Sequence, residues 1–323
     1  MASSTLGLCL LLSRSILGIL PRRSPVHAAD FADPFVLRTA GRYYAYATNV
    51  GDINVQVMSS PDLVRWEHLG NALPGVPAWA SSGFTWSPSV LERHGRYVLY
   101  YTVRHRESGL QSISVATGDS PTGPFVDTSS GPFMFQRALG GSIDPSPFVD
   151  TDGSAYLLWK SDDNALHRPS SLWGCLLADD GLSLAGDPVR LLGHDRGWEV
   201  PLIEAPSMVR VHDTYFLFYS ANWWESSRYG IGYATSESPL GPCVKATKWR
   251  PWTAGNLDAH GPGGQEFFTD VDGQLWMAYH AWVGGSVGYA SGGGRGLWLS
   301  KVDFAATSAP LSRKRRNRPI LQS

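Results

Sequence analysis

Three carboxylates in this chain stand at matching points of a repeated phrase. Asp33 precedes Pro34, Asp144 precedes Pro145, and Glu204 lies two residues before Pro206. Cleavage of a glycosidic bond by water needs two carboxyls: an acid that protonates the leaving oxygen, and a base that activates water on the opposite face. A long Glu suits the acid and a short Asp suits the base. A third carboxylate beside the acid raises its pKa by like-charge repulsion and keeps it protonated near neutral pH. Asp62, Asp152, Asp213 and Asp272 read instead as turn acids, because they fall outside the shared phase. Glu199, in Gly197-Trp198-Glu199-Val200, is the rival for the acid.

The elements that must bring the three together are the repeats themselves. Asp33-Pro34-Phe35-Val36-Leu37 leads through Gly41 to Tyr43-Tyr44-Ala45-Tyr46. Ser87-Pro88-Ser89-Val90-Leu91, Asp144-Pro145-Ser146-Pro147-Phe148 and Ala205-Pro206-Ser207-Met208 lead in the same way to aromatic strands. A weaker fifth copy opens near Gly264 or Gln265 and runs through Asp272-Gly273 to Leu275-Trp276-Met277-Ala278-Tyr279. The phrase recurs at intervals of roughly 54–61 residues, the range of propeller blades. Short Tyr-, Phe-, Val- and Leu-rich runs alternate with Gly, Asp, Ser and Pro clusters throughout, with no amphipathic helix. The expected fold is all-β: a five-bladed β-propeller, each blade a four-stranded antiparallel sheet. Equivalent positions then converge on one axis, so distant residues of equal phase face one another. A residue before proline is expected to be extended, which would aim Asp33 and Asp144. Mid-strand Tyr44, Tyr100, Trp159 and Tyr219 are expected in the core between blades.

Composition narrows the partners. Charged residues are 17% and the net charge is −1, which gives no reason to expect nucleic acid or a membrane surface. With 13 Trp, 13 Tyr and 12 Phe, the chain has rings to pack against the C–H faces of sugars. Trp86 shares the phase of Glu204 and is the first substrate-binding candidate; Phe84 follows, and Trp223-Trp224 fall on a loop that suits an outer subsite. Arg295, in a Gly-rich segment, is placed to reach a sugar hydroxyl. Gly284-Gly285-Ser286-Val287-Gly288 fits a nucleophile-elbow pattern, but no helix follows it. Of the three cysteines, Cys175 and Cys243 read as isolated thiols, while Cys9 lies in the leader. Residues 1–29 are expected to be a signal or targeting segment, with Val26-His27-Ala28-Ala29 as its small-residue end, and the protein secreted. The propeller then spans 30–305, and a basic tail containing Arg313-Lys314-Arg315-Arg316 spans 306–323.

Four motifs in order, Ala32-Asp33-Pro34-Phe35-Val36, Thr85-Trp86-Ser87-Pro88-Ser89-Val90, Ser142-Ile143-Asp144-Pro145-Ser146-Pro147 and Ile203-Glu204-Ala205-Pro206-Ser207-Met208, resemble those of glycoside hydrolase family 43. The resemblance implies an enzyme that inverts the anomeric centre in a single displacement; a monomer is expected. It implies Asp33 as general base, Glu204 as general acid, and Asp144 as the residue that orients the acid and tunes its pKa. The implied substrate is a plant-type oligo- or polysaccharide carrying arabinose or xylose. Leu157-Leu158-Trp159-Lys160-Ser161-Asp162 and Ser220-Ala221-Asn222-Trp223-Trp224 resemble the α-L-arabinofuranosidase branches. The alternatives are a β-xylosidase or endo-arabinanase, and, outside enzymes, a non-catalytic sugar-binding propeller. His280 matches a common fifth-blade feature and is a further substrate-binding candidate. No cofactor is required, although relatives hold calcium or another ion on the axis. His260 is the ligand this would use here, ahead of a displaced Gly261-Pro262-Gly263.

Overall fold

The computed structural model describes residues 16–20 and 24–305. Cys9 and the basic C-terminal run lie outside them. Five antiparallel sheets follow one another along the chain. Their innermost strands are Phe35–Thr39, Ala80–Arg93, Ser142–Val149, Ile203–Val211 and His260–Thr269. These touch in cyclic order and the fifth touches the first, which closes a five-bladed propeller. Five hydrophobic clusters fill the five gaps between blades, the expected result when each sheet buries both faces against its neighbours. Tyr100, Trp159 and Tyr219 are fully buried in these clusters, and Tyr44 packs against one.

Four blades have four strands. The second has three long ones, and isolated bridges at Thr117–Val126 and Ile113–Met134 stand in for its outer edge. Pro121, Pro124 and Pro132 in that segment each lack the N–H that a continuous ladder needs. The fifth blade closes differently. Its outermost strand is Ile16–Leu20, paired antiparallel with residues 301–305. Val26 and His27 also bond to Leu297 on the same blade. The propeller thus begins before residue 30: chain assigned to the leader supplies hydrogen bonds that the last blade's edge would otherwise lack.

The prolines do not hold their neighbours extended. Asp33, Ser87, Asp144 and Ala205 all have φ between 44° and 56°, and Gly264 in the fifth blade has φ 59°. A left-handed residue costs about 1–2 kcal/mol when it is not glycine. Each kink coincides with a break in pairing between the two innermost strands in blades two to five. The bulge turns the kinked residue off the ladder and toward the axis.

What stabilises the kinks is a cyclic relay of side chains. The N–H of each kinked residue donates to a side chain on the preceding blade. Ser87 donates to Thr48 Oγ1 at 3.1 Å and Asp144 to Thr102 Oγ1 at 3.1 Å. Gly264 donates to Ser220 Oγ at 2.9 Å, and Asp33 closes the circle on His280 Nδ1 at 3.1 Å. Ala205 is the exception in kind: it donates to Asp144 Oδ2 at 2.9 Å. The near-isosteric change Thr102→Val leaves the Asp144 N–H buried without an acceptor. It is expected to lower stability by about 1–3 kcal/mol, measured by urea unfolding, with a loss of activity larger than the change in stability accounts for.

Candidate active site

The kinks gather around the mouth of the axis. A cavity of about 580 Å³ opens there, and Asp33, Asp144 and Glu204 all line it. Below it a small chamber of about 20 Å³ continues down the axis, sharing Asp33, Ser87, Asp144 and Ala205 and ending at Gln265 and Glu266. Asp144 and Glu204 are each 8% exposed. Glu204 precedes its kink by one residue, so it still pairs with Ser220 across the strand while Asp33 and Asp144 sit on theirs.

Each carboxylate has its own surroundings. Asp33 Oδ2 accepts from Thr48 Oγ1 at 2.7 Å. Its Oδ1 lies 3.2 Å from His280 Nδ1 and 3.6 Å from the Arg295 guanidinium. Burial works to raise the Asp33 pKa, but the Arg295 guanidinium and the Thr48 hydroxyl hold it well below the usual carboxylate range. His280 Nδ1, which accepts the Asp33 N–H, has no proton to give the carboxylate. Asp144 Oδ1 accepts from Ser87 Oγ at 2.9 Å, and no side-chain cation bonds to it. Burial, then repulsion from Glu204, raises its pKa to about 7. Glu204 Oε1 accepts from Tyr229 Oη at 2.7 Å, and Oε2 from Lys160 Nζ at 3.3 Å. One cavity therefore holds an ionised carboxylate at Asp33 and one at Asp144 that is protonated below about pH 7. Glu266, on the axis beneath them, is raised to about 8, mainly by burial.

The other expected contacts divide. Trp86, Trp223, Trp224 and Arg295 line the cavity. Arg295 is no loose loop arginine: it is 8% exposed, bonded to Tyr289 Oη at 3.0 Å and lying over the Trp224 ring at 4.9 Å. His280 does not reach the cavity wall. It is fully buried behind Asp33 and stacked on Tyr229 with ring planes 6° apart. Phe84 is also off the wall: the strand is irregular between Ser81 and Trp86, and the Arg104 guanidinium covers the Phe84 ring at 3.4 Å. Glu199 is a structural anion, fully buried and bonded to Lys245 Nζ at 2.7 Å and Tyr219 Oη at 2.8 Å.

His260 does not fit as an ion ligand. It opens the innermost strand of the fifth blade opposite Trp282, and it lines neither the cavity nor the chamber. The Nε2 atom of His280 has no protein partner, but with Nδ1 accepting the Asp33 N–H it carries the ring proton and has no lone pair for an ion. No group of three or more His, Cys, Asp or Glu side chains able to hold a metal occurs among the described residues. No helix among them is long and apolar enough to cross a membrane.

Sequence reasoning missed Lys160, Tyr229 and the pair Asp30–Tyr289. Lys160 sits in the strand Ala155–Ser161 and Tyr229 immediately before the strand Gly230–Ser236, both in core-like surroundings, and nothing local marks them. The repeat phase does mark Lys160: counted from its kink, it lies within one residue of the place of Thr48, Thr102, Ser220 and His280.

Comparison with known proteins adds a lineage. The sequence model described as glycosyl hydrolases family 43 matches residues 22–310. The chain is 28% identical over 275 residues to the β-D-galactofuranosidase xynD of Aspergillus niger, covering 80% of this chain and 75% of that protein. It is 28% identical over 313 residues to a probable arabinan endo-1,5-α-L-arabinosidase B of Aspergillus fumigatus, covering 79% of this chain and 80% of that one. Among solved structures, a thermostable family-43 glycoside hydrolase superposes with a TM-score of 0.74 at 29% identity, covering 91% of this chain and 96% of that one.

The raised Asp144 pKa fixes a sign for stability. The unfolded carboxyl ionises near 3.8, whereas the folded one keeps its proton to about 7. Between those values the folded state binds more protons, so stability falls as pH rises and levels off above 7. Asp144→Asn mimics the neutral form, since its amide can still bond Ser87 Oγ and accept from Ala205. The variant is expected to be more stable than the parent at pH 8 by on the order of 2–4 kcal/mol. The difference should vanish toward pH 4, as read by denaturant unfolding at both pH values.

Proposed function

The chain belongs to family 43 of the glycosyl hydrolases, and from that premise we propose that it is an inverting α-L-arabinofuranosidase. The observation that carries this reading is the convergence of Asp33, Asp144, Glu204 and Arg295 on one cavity. Asp33, kept ionised by Arg295, is the general base: it takes a proton from a water that attacks the anomeric carbon. Glu204 is the general acid: it gives its proton to the glycosidic oxygen as the bond to the anomeric carbon breaks. Attack and departure on opposite faces invert the centre and leave Asp33 protonated and Glu204 ionised; exchange with solvent resets both. Asp144, hydrogen-bonded to the backbone N–H next to Glu204, positions the acid. Where it ionises, above about pH 7, its charge repels that of Glu204 and favours the protonated acid. Trp86 and Trp224 offer faces for the sugar, and Arg295 a donor for its hydroxyls.

The sugar is argued from two sides. A cavity of about 580 Å³ has room for a terminal furanose and the unit next to it rather than a long chain. Two of the similar proteins are named for action on galactofuranosides and on α-L-arabinosyl linkages, both five-membered sugars. The natural substrate is then arabinan or an arabinose-substituted plant polysaccharide.

The wild type is expected to hydrolyse 4-nitrophenyl α-L-arabinofuranoside faster than the β-D-xyloside, with the β-anomer as the first product in proton NMR. Preference for the xyloside would make it a xylosidase, activity only on long arabinan an endo-enzyme, and no turnover a binding propeller. Asp33→Asn should lower kcat about 10³-fold or more on every substrate. Glu204→Gln should cost about 10²–10⁴-fold on arabino-oligosaccharides but much less on the nitrophenyl glycoside, whose leaving group needs no proton.

A further inference from the structure

Five equivalent side chains stand opposite the residue that precedes each kink. They are Thr48, Thr102, Lys160, Ser220 and His280, the last four paired in register with Trp86, Ile143, Glu204 and Gly263. Thr48 holds the same place in blade one, where its N–H donates to the carbonyl of Ala32 at 3.0 Å. Four of the five accept the N–H of the next blade's kink. Lys160 cannot, because an ammonium has no lone pair. Asp144 accepts the Ala205 N–H in its place, and Lys160 is released for another task.

The Lys160 ammonium is 1% exposed and lies between two carboxylates: Asp162 Oδ1 at 3.0 Å and Glu204 Oε2 at 3.3 Å. With Tyr229 on Oε1, both oxygens of Glu204 are accepting, so in this arrangement Glu204 has the partners of a carboxylate. A general acid passes through that form each turnover, and a buried anion without a partner is costly. Taking the catalytic assignment above as given, we propose that Lys160 is a positioning residue shared between Asp162 and Glu204. It leans on Asp162 while Glu204 carries its proton, and moves its weight to Glu204 as that proton leaves for the sugar.

Lys160 keeps its charge throughout. Burial opposes the ammonium, but Asp162, Glu204 and Asp144 outweigh it and hold the pKa above the ordinary lysine value. The groups facing Glu204 are then complete on each side: Lys160 and Asp162 from the third blade, Asp144 from its innermost strand, and Tyr229 from the fourth blade. Asp33, with Arg295 and His280, lies across the cavity. Asp162 gives the arrangement its balance, since an undivided Lys160 would hold Glu204 ionised and unable to act as an acid.

Two variants of the full-length protein test this with opposite signs. The carboxyl titration of Glu204 is followed by ¹³C NMR, and the pH dependence of kcat/KM on whichever glycoside the wild type cleaves. Lys160→Met removes the cation, and the Glu204 titration and the alkaline limb of the profile should both move up by about one pH unit. Asp162→Asn frees Lys160 for Glu204, and both should move down by about as much. Lys160→Met should also slow an arabino-oligosaccharide about 10–100-fold more than a nitrophenyl glycoside. Titrations that stay in place, or move the same way in both variants, overturn the proposal, even if activity is lost through folding. Because the NMR titration needs no turnover, an error in the proposed sugar or reaction shows separately, as a wild type that cleaves none of the glycosides.

Discussion

Everything at the mouth of this propeller depends on how a backbone N–H is satisfied at five left-handed kinks. Kinking frees that N–H from the ladder, and a buried donor with no acceptor costs about as much as the kink itself. The chain solves both at once by giving each blade a side chain that accepts from the next. The relay runs from Thr48 to Ser87, Thr102 to Asp144, Asp144 to Ala205, Ser220 to Gly264 and His280 to Asp33. Blade-to-blade order and the aim of the acidic side chains are thereby one constraint. No carboxylate can shift without disturbing the blade beside it.

That constraint divides charge across a narrow space. On one side the Arg295 guanidinium and the Thr48 hydroxyl face Asp33 and favour its ionised form. On the other, Asp144 has only neutral donors, and burial with its neighbour Glu204 favours its protonated form. Mutual repulsion alone already separates the titrations of neighbouring carboxylates. Here the cations are distributed unevenly, Arg295 by Asp33 and Lys160 by Glu204, and the environments diverge.

The fifth blade shows what the ring requires where it closes. A Cβ on Gly263 would meet the Tyr229 ring at 2.0 Å, and one on Gly264 would meet His280 Nδ1 at 2.6 Å and Asp33 Oδ1 at 2.8 Å. Two glycines are needed for the Tyr229–His280 stack to lie against Asp33. Gln265 takes the place of the proline and bonds to the carbonyl of Ala205 at 2.7 Å, a tie that proline lacks. The weakness of this repeat in the sequence therefore has a packing cause: it exchanges the shared phrase for room and hydrogen bonds.

The sequence by itself determined the number of blades, their order and the three acids, because repetition at a fixed period carries phase, and phase is geometry once a ring closes. It also separated the turn acids from the axial ones, and placed Trp86, Trp224 and Arg295 near the mouth. It did not determine backbone sign at the kinks: proline argues for extension, and only the bulge imposed by the neighbouring blade reverses it. Nor did it distinguish His280 and Phe84 from true wall residues, since a strand's alternation is lost at each register break. Tyr229, the partners of Lys160 and the early start of the fifth blade became visible only in three dimensions. Their partners lie far along the chain, and the field that fixes each proton is a sum over groups that local sequence never brings together.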